Sequence, residues 1–300
     1  MYFSRVAWYT YPRLIHCLSD FLETECRVPR NPNNGRSRTR ERLGKLLREG
    51  GDVLTVDNAA RILGISSKDA AKTLARWCNQ GWLSRIKRGV YVPVPVESIS
   101  KDRALEDAWI IIPDLFGPAY VGGWSAAEHW DLTEQIFRDI CVFTSRPVAK
   151  RHQVIHNIPF VVTHVAPDQQ FGTKTVWKKE KKLSVSDPTR TIVDMLSKPW
   201  AGGGIEHVID CFKHYLKSSY LSAEQLVDYA ERLGNAAVFK RLGFLAERLL
   251  GGDHFLVTAC KSRLSKGNAQ LDPALKGDKL ITRWRLFVPS MLSFETERIE

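Results

Sequence analysis

The chain has few cysteines for its length, and they are scattered. Six of them, Cys17, Cys26, Cys78, Cys141, Cys211 and Cys260, are spread singly over 300 residues with no C-x-x-C pair. That spacing excludes the common zinc sites and gives no disulfide framework, so no metal is expected and a reducing, cytoplasmic setting is the simplest. Long apolar runs are also missing. The longest candidate, "AWIIIPDLF" at 108–116, is interrupted by Pro113 and Asp114 and falls well short of the roughly 18 residues that a membrane span needs. The first 20 residues mix Arg5, Tyr9, Pro12, Arg13 and His16 into any apolar stretch, so no secretory signal is expected. No Gly-Lys-Ser/Thr ending follows the glycines of "AGGGIEHV" at 201–208, which therefore reads as a loop entering a helix and not as a phosphate cradle. No repeat of fixed period is visible.

Acidic residues are outnumbered too. Lys and Arg total 44 against 33 Asp and Glu, a formal charge of +11 with a sequence pI near 9.4. Such a balance favours a polyanionic partner. Its distribution is more telling: residues 1–96 carry 17 basic against 8 acidic side chains, so most of the excess lies in the first third. With 44% hydrophobic residues the chain can bury a substantial core and has room for two domains.

Residues 1–37 are aromatic and basic and pass into "RVPRNPNNGRSRTR", which reads as a flexible basic extension or an arm touching DNA backbone. From there the order of elements is informative. Leu43, Leu46 and Leu47 predict a helix over 39–49, ended by Gly50 and Gly51. A second short helix is expected over 56–63, capped by Thr55 or Asp57, and a third over 67–80 after the turn at Gly64 and Ser66. "WLSRIKRGVYVPVP" then reads as two strands around Lys87-Arg88-Gly89, where Gly89 can take a positive φ. Helix, helix, turn, helix and hairpin describe a winged helix-turn-helix, expected over 38–96.

In the third helix Ala70, Ala71, Leu74, Trp77 and Cys78 are placed on the buried side. That leaves Ser67, Lys68, Lys72, Thr73 and Arg76 for a major groove. Arg85, Lys87 and Arg88 on the wing suit backbone or minor-groove contact. Beyond 97 the texture is mixed, with strands expected in "DICVFTSRP", "HNIPFVVTHVAP" and "TKTVWKKEKKLSVSD". Helices are expected at 187–197, 205–218, 222–233 and 235–250, and the last segment reads as loop-rich with a closing strand. The fold class expected is α+β: a winged helix-turn-helix followed by a larger mixed α/β domain over 97–300.

Three constellations could seed other chemistry. Pro167-Asp168 followed by "EKK" at 180–182 imitates the carboxylate, carboxylate and lysine set of Mg²⁺-dependent nucleases; a polar turn and a charged strand explain the same residues. His152, His156 and His164 are close in sequence, but Pro147, Asn157 and Pro159 imply intervening turns and surface roles. The basic stretch "KTVWKKEKK" at 174–182 is either a second nucleic-acid surface or a solvated hairpin face. No nucleophile, base and orienter stand together, so neither catalytic residues nor cofactors are expected.

Four stretches give the chain a family look: the winged-helix segment ending in "IKRGVYVPVP", the block "YVGGWSAAEHWDLTEQ", "SVSDPTRTIVDML" followed by "AGGGIEHVID", and the late "LDP" and "RWRLFV". In this order they resemble the AbiEi-type antitoxins of bacterial type IV toxin–antitoxin systems. The resemblance implies a winged helix that represses its own operon by binding inverted repeats upstream in double-stranded operator DNA. It also implies a C-terminal antitoxin domain that counteracts a nucleotidyltransferase-like toxin without a stable complex. By position, operator binding would fall to Ser67, Lys68, Lys72, Thr73, Arg76, Arg85, Lys87 and Arg88. Two alternatives remain: a Mg²⁺-dependent nuclease directed to DNA by the winged helix, with Asp168 and Glu180 in its site, and an adaptor that binds its toxin directly.

Overall fold

A computed structural model describes residues 34–94, 107–155, 157–179 and 181–290. The chain divides into two units between Arg42 and Leu43, inside the first helix. The basic extension before residue 34, the expected boundary at 96–97, His156 and Glu180 lie outside the described residues.

The winged helix follows the expected order. Helix α1 spans Asn34–Gly50, beginning ahead of the expected Thr39, and is followed by β1 (Leu54–Thr55), α2 (Val56–Leu63), α3 (Ser67–Asn79), β2 (Leu83–Lys87) and β3 (Val90–Pro93). The short β1 adds to the expected elements. It pairs with β3, Leu54 opposite Tyr91 and Thr55 opposite Val90, and completes a three-stranded sheet in the order β1-β3-β2. Side chains alternate across this sheet. Leu54, Leu83 and Tyr91 join Leu46, Ala59, Ile62, Ala70, Leu74 and Trp77 in a core under the helices. Val53, Val90 and Val92 face the other way and belong to a second core with Ile110–Ile112, Leu115 and Phe116. The wing sheet is therefore buried on both faces, by its own helices and by the rest of the chain.

The larger part is built on a mixed six-stranded sheet. Its elements are α4 (Ile112–Phe116), β4 (Ala119–Val121), α5 (Gly123–His129), β5 (Ile140–Thr144), β6 (His152–Ile155), β7 (Ile158–His164), β8 (Thr173–Lys178) and β9 (Lys181–Ser186), and the strand order is β6-β7-β5-β4-β9-β8. Alternation again sorts the core: Val142, Phe160, Val162, Leu183 and Val185 point toward the wing side, while Tyr120, Cys141, Phe143 and Val161 point to the opposite one. Against that second side lies a helical layer of α6 (Pro188–Ser197), α7 (Ile205–Lys217), α8 (Ala223–Leu233), α9 (Ala236–Leu250) and α10 (Phe255–Lys261). Helices α6 to α9 begin and end within a residue or two of their expected spans. In the segment read as loop-rich there is instead α10, followed by a small sheet of β10 (Ala269–Gln270), β11 (Lys279–Ile281) and β12 (Leu286–Val288). The architecture is α+β, a winged helix followed by a larger mixed α/β part.

The stretches that carry the family resemblance meet in the interior. Asp187 caps α6 by accepting from the Arg190 amide at 2.8 Å, and its other oxygen accepts from the Tyr229 hydroxyl at 2.9 Å. Arg190 Nε donates to Asp194 Oδ1 at 3.0 Å, the Tyr120 hydroxyl donates to Asp194 Oδ2 at 3.0 Å, and Arg190 Nη2 donates to the Tyr120 oxygen at 3.2 Å. Arg190 is fully buried and Asp194 nearly so. Burial pushes the Asp194 carboxyl above the usual range, and the Arg190 guanidinium beside it pulls back. Asp272 of "LDP" accepts from the Ile205 amide at 3.0 Å, so the N-terminus of α7 after "AGGG" already holds a carboxylate from the same chain. These residues serve the fold.

Candidate nucleic-acid interface

The turn between α2 and α3 is held by caps at both ends. Thr55 Oγ1 accepts from the Asn58 amide at 3.2 Å and opens α2. Gly64 closes it in the left-handed region at φ 63°, where a glycine avoids the strain a side chain would bring. Ser66 Oγ then accepts from the Asp69 amide at 3.1 Å and donates to the Asp69 carboxylate at 2.8 Å, opening α3. Each such cap stabilises its helix by about 1 kcal/mol. Ala70, Leu74 and Trp77 of α3 are fully buried and seat the helix on the core.

Lys68, Lys72 and Arg76 stand four residues apart and form one exposed row on α3, with Ser67 exposed at its N-terminal end. Arg85 and Arg88 are exposed on the wing, whose turn is closed by Gly89 at φ 82°. None of these five cations makes an ion pair among the described residues.

Two expected members are not on this surface. Thr73 is only 8% exposed, because with Ala70, Leu74 and Trp77 it completes the i, i+3, i+4, i+7 stripe that faces the core. Lys87 is turned inward by an irregularity in the β2–β3 register: Arg85 lies opposite Tyr91, but Lys87 lies opposite Val90. The shift between them moves Lys87 to the face of Val90 and Val92. There its ammonium donates to the Leu115 carbonyl at 2.6 Å. Nothing in the residue order of the hairpin signals that shift.

The basic stretch 174–182 is largely engaged within the molecule. Lys174 lies over the Trp130 and Tyr220 rings at 5.3 and 5.8 Å. Lys178 pairs with Asp107 at 3.3 Å, Lys179 with Asp52 at 3.2 Å and Lys181 with Asp114 at 3.1 Å. Lys182 is exposed opposite Trp177. The stretch fastens the β8–β9 hairpin to its surroundings, including the loop after α1.

Asp168 is exposed in the short turn Pro167–Gln169, and His152 and His164 are exposed on separate strands. Among the described residues no group of three His, Cys, Asp or Glu side chains is placed to hold a metal. Cys78, Cys141, Cys211 and Cys260 are free thiols, and burial pushes Cys211 and Cys260 up to about 12. Among the described residues no helix is long and apolar enough to cross a membrane.

Against known proteins, residues 41–94 match the family model described as transcriptional regulator, AbiEi antitoxin. That segment is similar to the transcriptional-regulator module of AbiEi antitoxins, and the match covers the capped turn, the cationic row on α3 and the wing. No curated protein matches the chain. Among solved structures, the crystal structure of the RV2827C protein from Mycobacterium tuberculosis is similar, with a TM-score of 0.59 at 16% identity over 84% of this chain and 91% of that one. That likeness is one of fold and extends beyond the winged helix into the larger part.

Proposed function

We propose that this protein is the autorepressing antitoxin of a type IV toxin–antitoxin system. Its winged helix binds inverted repeats in double-stranded operator DNA upstream of its own operon. Its larger part counteracts a nucleotidyltransferase-like toxin without forming a stable complex with it. The observation that carries the DNA half is the row of exposed cations on α3, without ion pairs among the described residues and continued by Arg85 and Arg88, on a capped helix-turn-helix in the segment that matches this family's model. Ser67, Lys68, Lys72 and Arg76 enter the major groove in this reading, and Arg85 and Arg88 contact the backbone or the minor groove. Thr73 and Lys87 take no part, being turned to the interior.

The toxin half is supported by the description of the family whose model matches residues 41–94 and by the resemblance of the stretches in the larger part to AbiEi-type antitoxins. A reporter fused to the DNA upstream of the gene tests the first half: the intact chain represses it and Lys72→Ala with Arg76→Ala relieves that repression. Co-expression with the toxin tests the second, through rescue of growth without co-elution of the two proteins on size exclusion. Full repression by the double variant, or no rescue of growth, would contradict the respective half.

A further inference from the structure

On the face of the wing sheet turned away from α2 and α3, a cavity of about 280 Å³ opens between the end of β2 and the loop after β5. Ile86, Phe116, Val148 and Ile155 form its apolar wall, and Lys87 and Arg146 reach it from opposite sides of the junction. The Lys87 ammonium donates to the Leu115 carbonyl at 2.6 Å, and Arg146 Nη1 donates to the same oxygen at 3.4 Å. One neutral carbonyl is thus the shared partner of two cations. Neither forms an ion pair among the described residues, and Asp114, the acid whose charge favours that of Lys87, is itself bound to Lys181 at 3.1 Å. Burial, and then the Arg146 charge, hold the Lys87 ammonium below its ordinary pKa. Among the described residues, two cations thus stand beside an apolar wall with a neutral carbonyl as their shared partner and Asp114, already engaged by Lys181, as the acid whose charge acts on Lys87.

We propose that this cavity binds a small organic anion, with its carboxylate or phosphate between Lys87 and Arg146 and its apolar portion against Ile86, Phe116, Val148 and Ile155. The volume lies just below the usual range for ligand pockets, so the ligand is metabolite-sized and smaller than a dinucleotide. Lys87 immediately precedes the wing turn, so a bound anion reduces the positive field beside the wing and weakens operator binding. This last step rests on the operator-binding reading; occupancy of the cavity does not.

Isothermal titration of the full chain with hexanoate, hexyl phosphate, hexanamide and inorganic phosphate separates the contributions. Saturable binding is expected for hexanoate or hexyl phosphate, the tighter of the two identifying the head group. Hexanamide should bind at least ~10-fold more weakly, as should the preferred anion to Arg146→Gln, since each loses a charge-assisted contact. Val148→Trp, which fills the cavity and spares both cations, should abolish binding while circular dichroism stays unchanged. Absence of saturable binding by either organic anion overturns the proposal. So does equal affinity for hexanamide or inorganic phosphate, or binding that survives both variants.

Operator affinity is then measured with and without a saturating amount of the preferred anion and should fall at least ~3-fold when the cavity is filled. An unchanged affinity removes the regulatory step. A chain that binds no operator in either condition contradicts the operator reading, and the calorimetry alone then decides whether the cavity binds the anion.

Discussion

The row of cations on α3 and the Arg190–Asp194 pair use the same kinds of side chain for opposite ends. Lys68, Lys72 and Arg76 are exposed and make no ion pair among the described residues, whereas Arg190 and Asp194 are buried and bound to each other and to Tyr120. A hydrated charge on an exposed helix adds little to stability and remains available to a phosphate. A buried charge is tolerated only while its partner is present. Between the two lies Lys87, sited on the wing by sequence but held by the interior. A basic residue therefore becomes informative about function only once its partners are known.

The sharpest way to break this comparison is to remove one buried partner. Arg190→Leu leaves Asp194 buried without its counter-charge and should cost about 3–5 kcal/mol in chemical denaturation, while replacing both by Met and Leu should recover most of it. A loss under ~1 kcal/mol would show that the pair does not hold the larger part together. Next in size, Lys72→Ala with Arg76→Ala should weaken operator binding on the order of 100-fold, with stability unchanged within about 0.5 kcal/mol. If affinity and stability fell together, the row would be structural after all. Gly64→Ala forces a side chain into the left-handed region at φ 63° and should cost about 1 kcal/mol in a denaturant titration. The smallest effect is expected at Lys87: Lys87→Met removes a charge near the wing but no DNA contact and should lower operator affinity by about threefold, while Arg88→Ala lowers it by about tenfold. Equal losses for the two would return Lys87 to the DNA surface.

Much of the winged helix is legible in the sequence because its signals are local. Thr55, Gly64, Ser66 and Gly89 each fix a boundary through their own backbone or side chain, and α2 and α3 begin where those residues predict. Thr73 is misplaced when the apolar stripe is centred one position away, an error that a helix of 13 residues readily absorbs. Lys87 is beyond reach, since a register shift depends on how β2 meets β3. The two-residue β1 carries no periodicity of its own and exists only through its pairing with β3. Helix α10 is hidden by its length of seven residues, too few for a 3.6-residue period to stand out. Arg146 cannot be associated with Lys87 from sequence, because only the packing of the wing against α4 and β5 brings both to the Leu115 carbonyl. In the larger part the family-like stretches mark positions that pair with one another across the core, as Asp272 does with the start of α7.

The measurement that tests the central claim most directly is a fluorescence-anisotropy titration of the full chain and of the Lys72→Ala, Arg76→Ala variant. Each is titrated against DNA from directly upstream of the gene and against a scrambled duplex, at several salt concentrations. The account predicts at least ~10³-fold preference of the intact chain for the upstream DNA, and a log–log salt slope that falls by roughly 1 for each phosphate contact the variant loses. Equal affinity for both duplexes, or a variant with the affinity and slope of the intact chain, would contradict it.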